Sequence, residues 1–296
     1  AKTGVKFLDL SHNRLSSILE TSFEDLETME HLYLDGNGIE GEIPEHIARL
    51  TNLKSLSLAN NKFTGTVPSE IGALQQLEYL SLAENRLRNV VPAQIAQLTN
   101  LKTLNLGDNE FSGTIPHFWN MSNLQNLHLH SNTFTGNIPV AVQKLQNLET
   151  LFLSSNLLVG TIPAALSALQ NTLRGLYLSD NHFHGHFPPH LCQLRDLKAL
   201  FLDTNRLTGT IPSCMGTLQD LEQFYVFKNK LQGTVPASLH KLSKLTGLGL
   251  EHNDFSGSLP KNICTLTQQS GLDIWADCNE IRCNCCSVCC PSGDCI

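Results

Sequence analysis

One spacing constrains this chain more than any other feature. Asparagine recurs at Asn13, Asn37, Asn61, Asn85, Asn109, Asn132, Asn156, Asn181, Asn205, Asn229 and Asn253, in steps of 24 residues except for one of 23 and one of 25. A period of this length means one structural unit repeated, each copy unable to bury its own apolar face and so stacked on the next. The third copy, Leu53 to Gln76, reads LKSLSLANNKFTGTVPSEIGALQQ. Leu53, Leu56 and Leu58 alternate out of a short strand toward a core. Asn61 stands where the chain leaves the strand. Its amide can donate to and accept from backbone groups that a turn would leave unpaired. Phe63, matched by Phe111, Phe134, Phe183 and Phe255, takes the next core position. Gly65 permits a backbone angle or a close approach closed to other residues. Pro68 fixes φ and opens a convex segment, predicted as a 3-10 or short helical turn backed by Ile71 and Leu74.

The frame L-x-x-L-x-L-x-x-N-x-L-x-G-x-[IV]-P is identified as a leucine-rich repeat, and its Gly-x-Ile-Pro part resembles the plant-specific class. That class includes receptor-kinase ectodomains and secreted inhibitors of polygalacturonases. The resemblance runs from about Val5 to Asn253. It implies an α/β-type solenoid: a right-handed superhelix with a parallel concave β-sheet, convex 3-10 or short helical turns, about eleven repeats and a capping strand. At a strand spacing of about 4.8 Å, eleven coils span roughly 50 Å. The expected division is a solenoid over 1–270 and a disulfide-rich C-terminal cap over 271–296.

Departures from the frame are informative. Asn89 replaces the frame's glycine, and Asn is the next residue most tolerant of left-handed angles. The fifth copy is one residue short at HFWNMSN, and the first lacks Gly-Ile-Pro. Plant relatives carry a paired-cysteine cap before that point, so the first coil's edge is expected to be exposed or covered by further residues. Adding 24 to Leu248 and Leu250 gives Leu272 and Ile274, which predicts a twelfth strand with Asp277 in the asparagine slot.

Ten cysteines set the compartment. Cys192, Cys214 and Cys264 are scattered, while Cys278, Cys283, Cys285, Cys286, Cys289, Cys290 and Cys295 crowd the end. An even, dense set reads as disulfides in an oxidising compartment, secreted or on the outer cell surface, rather than as a thiolate metal site. Cys192 and Cys214 lie on neighbouring convex turns, close enough for one bridge. The other eight allow 105 pairings. This end is similar to the Cys-rich ends of secreted or membrane-anchored leucine-rich repeat proteins of unicellular algae. The chain opens at Ala1 without a leader, which reads as a trimmed piece of a precursor.

The net charge of −7 and the lack of any basic run argue against a nucleic-acid partner. No apolar run approaches the roughly 20 residues that span a bilayer, so no membrane insertion is expected within this chain. No catalytic constellation and no cofactor motif stands out, and the expected protein is not an enzyme.

The residue between the last two leucines of each strand must face the concave surface. In order these are Asp9, Tyr33, Ser57, Ser81, Asn105, His128, Phe152, Tyr177, Phe201, Tyr225 and Gly249. The early copies are mainly polar; then come four aromatics in consecutive copies, preceded by His128. Phe227 faces the same way one pleat on, and Trp275 is expected in Phe227's slot in the twelfth strand. Rings in such a column can merely stiffen a sheet, since cross-strand pairs contribute roughly 0.2–1 kcal/mol each. A clustered aromatic stripe with polar flanks such as Asn126, His130, Ser154, Ser179, Asp180, Asp203, Thr204 and Lys228 also has the composition of a binding site. His128, Phe152, Tyr177, Phe201, Tyr225 and Phe227 are therefore the expected ligand contacts, for a peptide, protein or glycan, with room for a co-receptor. A surface or wall adhesion spacer and a secreted inhibitor of wall-degrading hydrolases are the competing readings.

Two further motifs stand apart. His182, His184 and His186 alternate and share one face, a weak metal-binding pattern. Asn120-Met121-Ser122 is the one glycosylation sequon, on the convex side with Asn120 expected to be exposed.

Overall fold

A computed structural model describes residues 4–16, 26–278 and 281–289. The chain falls into two units, Ala1–Gly136 with Lys144–Leu148, and Asn137–Gln143 with Glu149–Ile296.

In the first unit, six strands lie parallel in chain order: Phe7–Asp9, His31–Tyr33, Ser55–Ser57, Tyr79–Ser81, Thr103–Asn105 and Asn126–His128. Their middle leucines pair in register, Leu32 with Leu56, Leu56 with Leu80, Leu80 with Leu104, and Leu104 with Leu127. All five are buried. Pro68, at φ −65°, precedes a 3-10 segment over Ser69–Ala73, whose exit is closed by the Leu74 N–H donating to the Ile71 carbonyl. Ile71 and Leu74 are fully buried beneath it. The short fifth copy trims this segment to three residues, Phe118–Asn120, and leaves the strand register intact.

The second unit carries seven parallel strands, Thr150–Phe152, Gly175–Tyr177, Ala199–Phe201, Gln223–Tyr225, Gly247–Gly249, Asp273–Ala276 and Val288–Cys289. The asparagine slot shows why the period is kept. Asn181 donates through Nδ2 to the carbonyls of Leu153, Leu178 and Ser179, while its Oδ1 accepts from the Leu158 N–H. Asn61 makes the same set in the first unit with Leu34, Leu58, Ala59 and Ile39. One buried amide thus ties two coils through backbone groups that would otherwise be costly to bury.

Short strands after the asparagines from Asn37 to Asn253 form additional parallel sheets that the sequence frame did not foretell. One joins Arg88–Val90, Glu110–Thr114 and Thr133–Thr135, and another joins Val159–Gly160, His182–His186, Arg206–Gly209, Lys230–Gly233 and Asp254–Phe255. The frame's glycine lies just past or inside these strands at positive φ, as at Gly65 (75°) and Gly113 (79°). Asn89 takes the same conformation at 67°.

The C-terminal register differs from expectation. Leu248 pairs with Ile274 and Gly249 with Trp275, an advance of 26 residues rather than 24. The reason is the preceding convex segment. It is a nine-residue α-helix, Lys261–Gln269, in place of a five-residue 3-10 turn. Ile274 and Ala276 therefore fill the leucine positions, and both are fully buried. Trp275 falls in Tyr225's slot rather than Phe227's. Asp277 falls opposite Glu251, and the asparagine slot moves to residue 279, outside the described residues. Asp277 still accepts from the His252 and Asn253 N–H groups. A further strand, Val288–Cys289, pairs with Trp275–Ala276.

Cys192 bridges Cys214 across neighbouring 3-10 segments at a Cα separation of 5.7 Å. Cys264 bridges Cys285, Cys278 bridges Cys289, and Cys283 bridges Cys286. Cys290 and Cys295 lie outside the described residues. Among the described residues no helix is long and apolar enough to cross a membrane.

Candidate functional site

The open face of the second unit's sheet carries the aromatic column. Parallel register sets Phe152 opposite Tyr177, Tyr177 opposite Phe201, and Phe201 opposite Tyr225. The ring centroids follow at 4.9, 4.9 and 4.8 Å, the spacing of the strands themselves. The first two pairs are tilted by 42° and 41°, and the third is edge-on at 69°. Each of the four rings is half-buried.

Beyond Tyr225 the column changes character. Position 249 is glycine, and so is 247. A Cβ at Gly247 would lie 2.3 Å from the Tyr225 hydroxyl, and one at Gly249 would lie 2.8 Å from Tyr225 Cδ1 and 3.0 Å from Phe227 Cδ1. The bare strand lets Tyr225 lie down across it. Phe227 stands edge-on to Tyr225 at 6.3 Å, and Trp275 is tilted toward it at 6.5 Å. Trp275 is 40% exposed.

Carboxylates flank the rings. Asp203 is buried, accepts from the Ser179 hydroxyl at 2.5 Å, and has its pKa raised by burial. Glu251 is 4% exposed, and burial raises its pKa as well. Burial raises the phenol pKa of Tyr177. It does the same at Tyr225, where Asp273, Asp203 and Glu251 add to the effect.

His128 belongs to the first unit, at the end of its last strand, with its ring 6.3 Å from His130. Burial, with His130 beside it, lowers its pKa. His130 Nε2 in turn lies 3.1 Å from Asp108 Oδ2. The first unit also holds an aromatic group that the sequence reading passed over: Phe7 lies 5.8 Å from both His31 and Tyr33. Phe7 and His31 occupy the first position of their strands, a slot the reading did not scan.

The three alternating histidines lie on one strand, His182–His186. Among the described residues no three His, Cys, Asp or Glu side chains are grouped to hold a metal ion. Alternate residues of a strand are about 6.6 Å apart along it, too far for adjacent imidazoles to converge unaided. Asn120 is exposed on its 3-10 segment, with Lys144 Nζ 3.1 Å from its Oδ1.

Family models described as leucine-rich repeat regions or repeats match residues 34–156, 195–255, and 4–26, 147–169 and 172–194. No curated protein matches the chain. Among solved structures, the Arabidopsis receptor kinase HAESA ectodomain in complex with an N-terminally extended IDA peptide hormone superposes with a TM-score of 0.87. It is 33% identical over 94% of this chain and 46% of that one. The Leptospira interrogans protein LIC12759 is 33% identical over 94% of this chain and 67% of that one, with a TM-score of 0.75. A plant ice-binding protein is 29% identical over 86% of this chain and 82% of that one, with a TM-score of 0.73. The chain spans about half or less of the length of the plant receptor ectodomains it matches. Repeat frame, asparagine ladder, parallel sheet and these matches agree: the chain belongs to the leucine-rich repeat family, with repeats of the plant receptor-ectodomain type.

Proposed function

We propose that this chain is a non-catalytic, extracellular recognition module that binds an extended peptide along the open face of its second unit. The observation that carries the reading is the column Phe152, Tyr177, Phe201 and Tyr225, four half-buried rings held in register at 4.8–4.9 Å. Aromatic rings present a large contact area at low cost in side-chain freedom. Beside them lie short hydrogen-bonding groups such as Ser154, Ser179 and Thr204, which suit a peptide backbone. HAESA, similar in fold and repeat type, is described with a peptide hormone on its ectodomain. A peptide ligand therefore fits better than a glycan. The disulfides favour an oxidising, extracellular setting. In this reading residues 1–270 are the recognition solenoid, residues 271–296 its cap, and a co-receptor would bind the peptide-loaded form.

The test is a footprint. Tyr177 and Tyr225 are nitrated in the disulfide-intact protein, alone and with fractionated secreted peptides and polysaccharides. Reactivity alone, with protection by a peptide fraction that the double variant Tyr177→Ala, Phe201→Ala no longer binds, supports the reading. Protection by polysaccharide only, or unchanged binding by the double variant, overturns it.

A further inference from the structure

The column ends in a corner whose chemistry differs from the rest of the face. Tyr225, Phe227 and Trp275 surround the bare strand Gly247–Gly249. Beneath them is Glu251, 4% exposed, whose Oε2 has no hydrogen-bond partner. That oxygen lies 3.5 Å from where a Cβ on Gly249 would stand, so it points to the side of the strand on which the rings lie. Asp277, just past the Asp273–Ala276 strand, has a second buried oxygen, Oδ1, with no partner. Asp203 and Asp273 act on the same Tyr225 ring. The basic residues next in sequence are Lys228 and His252. His252 and the backbone N–H of Glu251 itself favour the charged form of Glu251, but less than burial disfavours it.

A buried carboxylate oxygen without a donor is costly unless something pairs with it. Ring faces attract cations within about 6 Å of their centroids and do nothing comparable for anions. Both features select the same guest. Tyr225 and Phe227, both half-buried, fill the space above the bare glycines beside Glu251 Oε2.

We propose that this corner is the subsite for a basic side chain of the peptide ligand, a lysine ammonium or an arginine guanidinium. It seats among Tyr225, Phe227 and Trp275 and pairs with Glu251 Oε2. The inference deepens the peptide-binding reading and rests on it. It also explains why glycine interrupts an otherwise aromatic column: a side chain at 249 would displace both Tyr225 and Phe227.

The test uses small probes on the intact chain. Trp275 fluorescence is titrated with the acetylated amides of lysine and arginine, and with those of norleucine and citrulline as neutral isosteres. Trp119, buried in the first unit, serves as the internal constant. We expect saturable changes with the two cations, at least tenfold weaker changes with the neutral pair, and a loss of roughly tenfold or more in affinity in Glu251→Gln, the usual scale of losing one charge-assisted contact. Asp273→Asn, at an exposed position, should weaken the cations by a smaller factor without disturbing the core. Equal binding of neutral and cationic probes, or cation affinity unchanged in both variants, overturns the proposal. If peptides protect Tyr177 but show no preference for basic residues, the corner assignment fails while the column stands. If the cations bind the corner but no peptide protects Tyr177, the subsite stands and the extended-peptide reading fails.

Discussion

Tyr177 and Phe201 face each other across two parallel strands with their ring centroids 4.9 Å apart. The repeat imposes that distance. Two strands one period apart must carry equivalent residues at the strand spacing, so any run of aromatics in this slot becomes a stack. Stacking strengthens the sheet, and the outer edges of the same rings remain available to a ligand.

These two contributions separate in measurement. Phe201→Ala should cost about 1–2 kcal/mol of stability, because the ring is only half-buried and loses two neighbours. Binding of the protecting peptide should fall by a factor of ten or more. Chemical denaturation beside a binding titration reads both. A large loss of stability with unchanged binding would mean that the column is only a brace.

Asn181 tests the spine of the fold. Its replacement by alanine removes three donated bonds and leaves the Leu158 N–H unpaired beneath the surface. The expected cost is about 1–3 kcal/mol or more, lowering the denaturation midpoint. Replacing the exposed sequon residue Asn120 by alanine should change stability by less than about 0.5 kcal/mol. Equal effects at the two sites would contradict the ladder.

The pH dependence has a definite sign. Burial raises the pKa of Glu251 above its ordinary 4.5 and of Asp203 above its ordinary 3.8. The native state therefore keeps protons that the unfolded chain gives up. This contribution is fully present below the ordinary values and is lost as pH rises through the raised ones. Glu251→Gln removes one such group, so its melting temperature should gain on wild type as the pH goes from about 4 to about 8. Glu30 works the other way. Lys54 and Lys6 lower its pKa to about 2, so its contribution is present above 4.5 and lost on acidification. Because that carboxylate sits at the surface, where water and salt screen it, the acid-side effect should be slight. A Glu251→Gln advantage that shrinks with rising pH would refute the assignment.

Breaking the Cys192–Cys214 bridge by a double serine substitution opens a loop of 22 residues. The chain-entropy expectation is a loss of about 3 kcal/mol. The nitration pattern of Tyr177 and Tyr225 should not change, because the bridge lies on the convex turns. Altered nitration would place the bridge in control of the column.

Much of this protein is legible in its sequence, and for one reason. A repeat makes local chemistry global: the alternation Leu53, Leu56, Leu58, the amide of Asn61, the turn at Gly65 and the stop at Pro68 recur until only one stacking satisfies them all. The column from Phe152 to Tyr225 follows from the same register, because side chains of equivalent residues in parallel strands must align. Sequence also explains Asn89, which among the described residues is the one non-glycine at the frame's glycine position.

Tertiary structure decided what lies where the period breaks. The convex segment before Asp273 folds as a nine-residue helix, and its two additional residues move Trp275 beside Tyr225. No spacing rule gives that shift, since the choice between a 3-10 turn and an α-helix depends on packing and capping there. The pairing among Cys264, Cys278, Cys283, Cys285, Cys286 and Cys289 likewise depends on which backbones approach. So does the unpaired oxygen of Glu251. In sequence that residue is one more polar position after a leucine. Only the tertiary structure shows its carboxyl buried with an unpartnered oxygen, in a corner where Trp275 comes beside Tyr225 and Phe227.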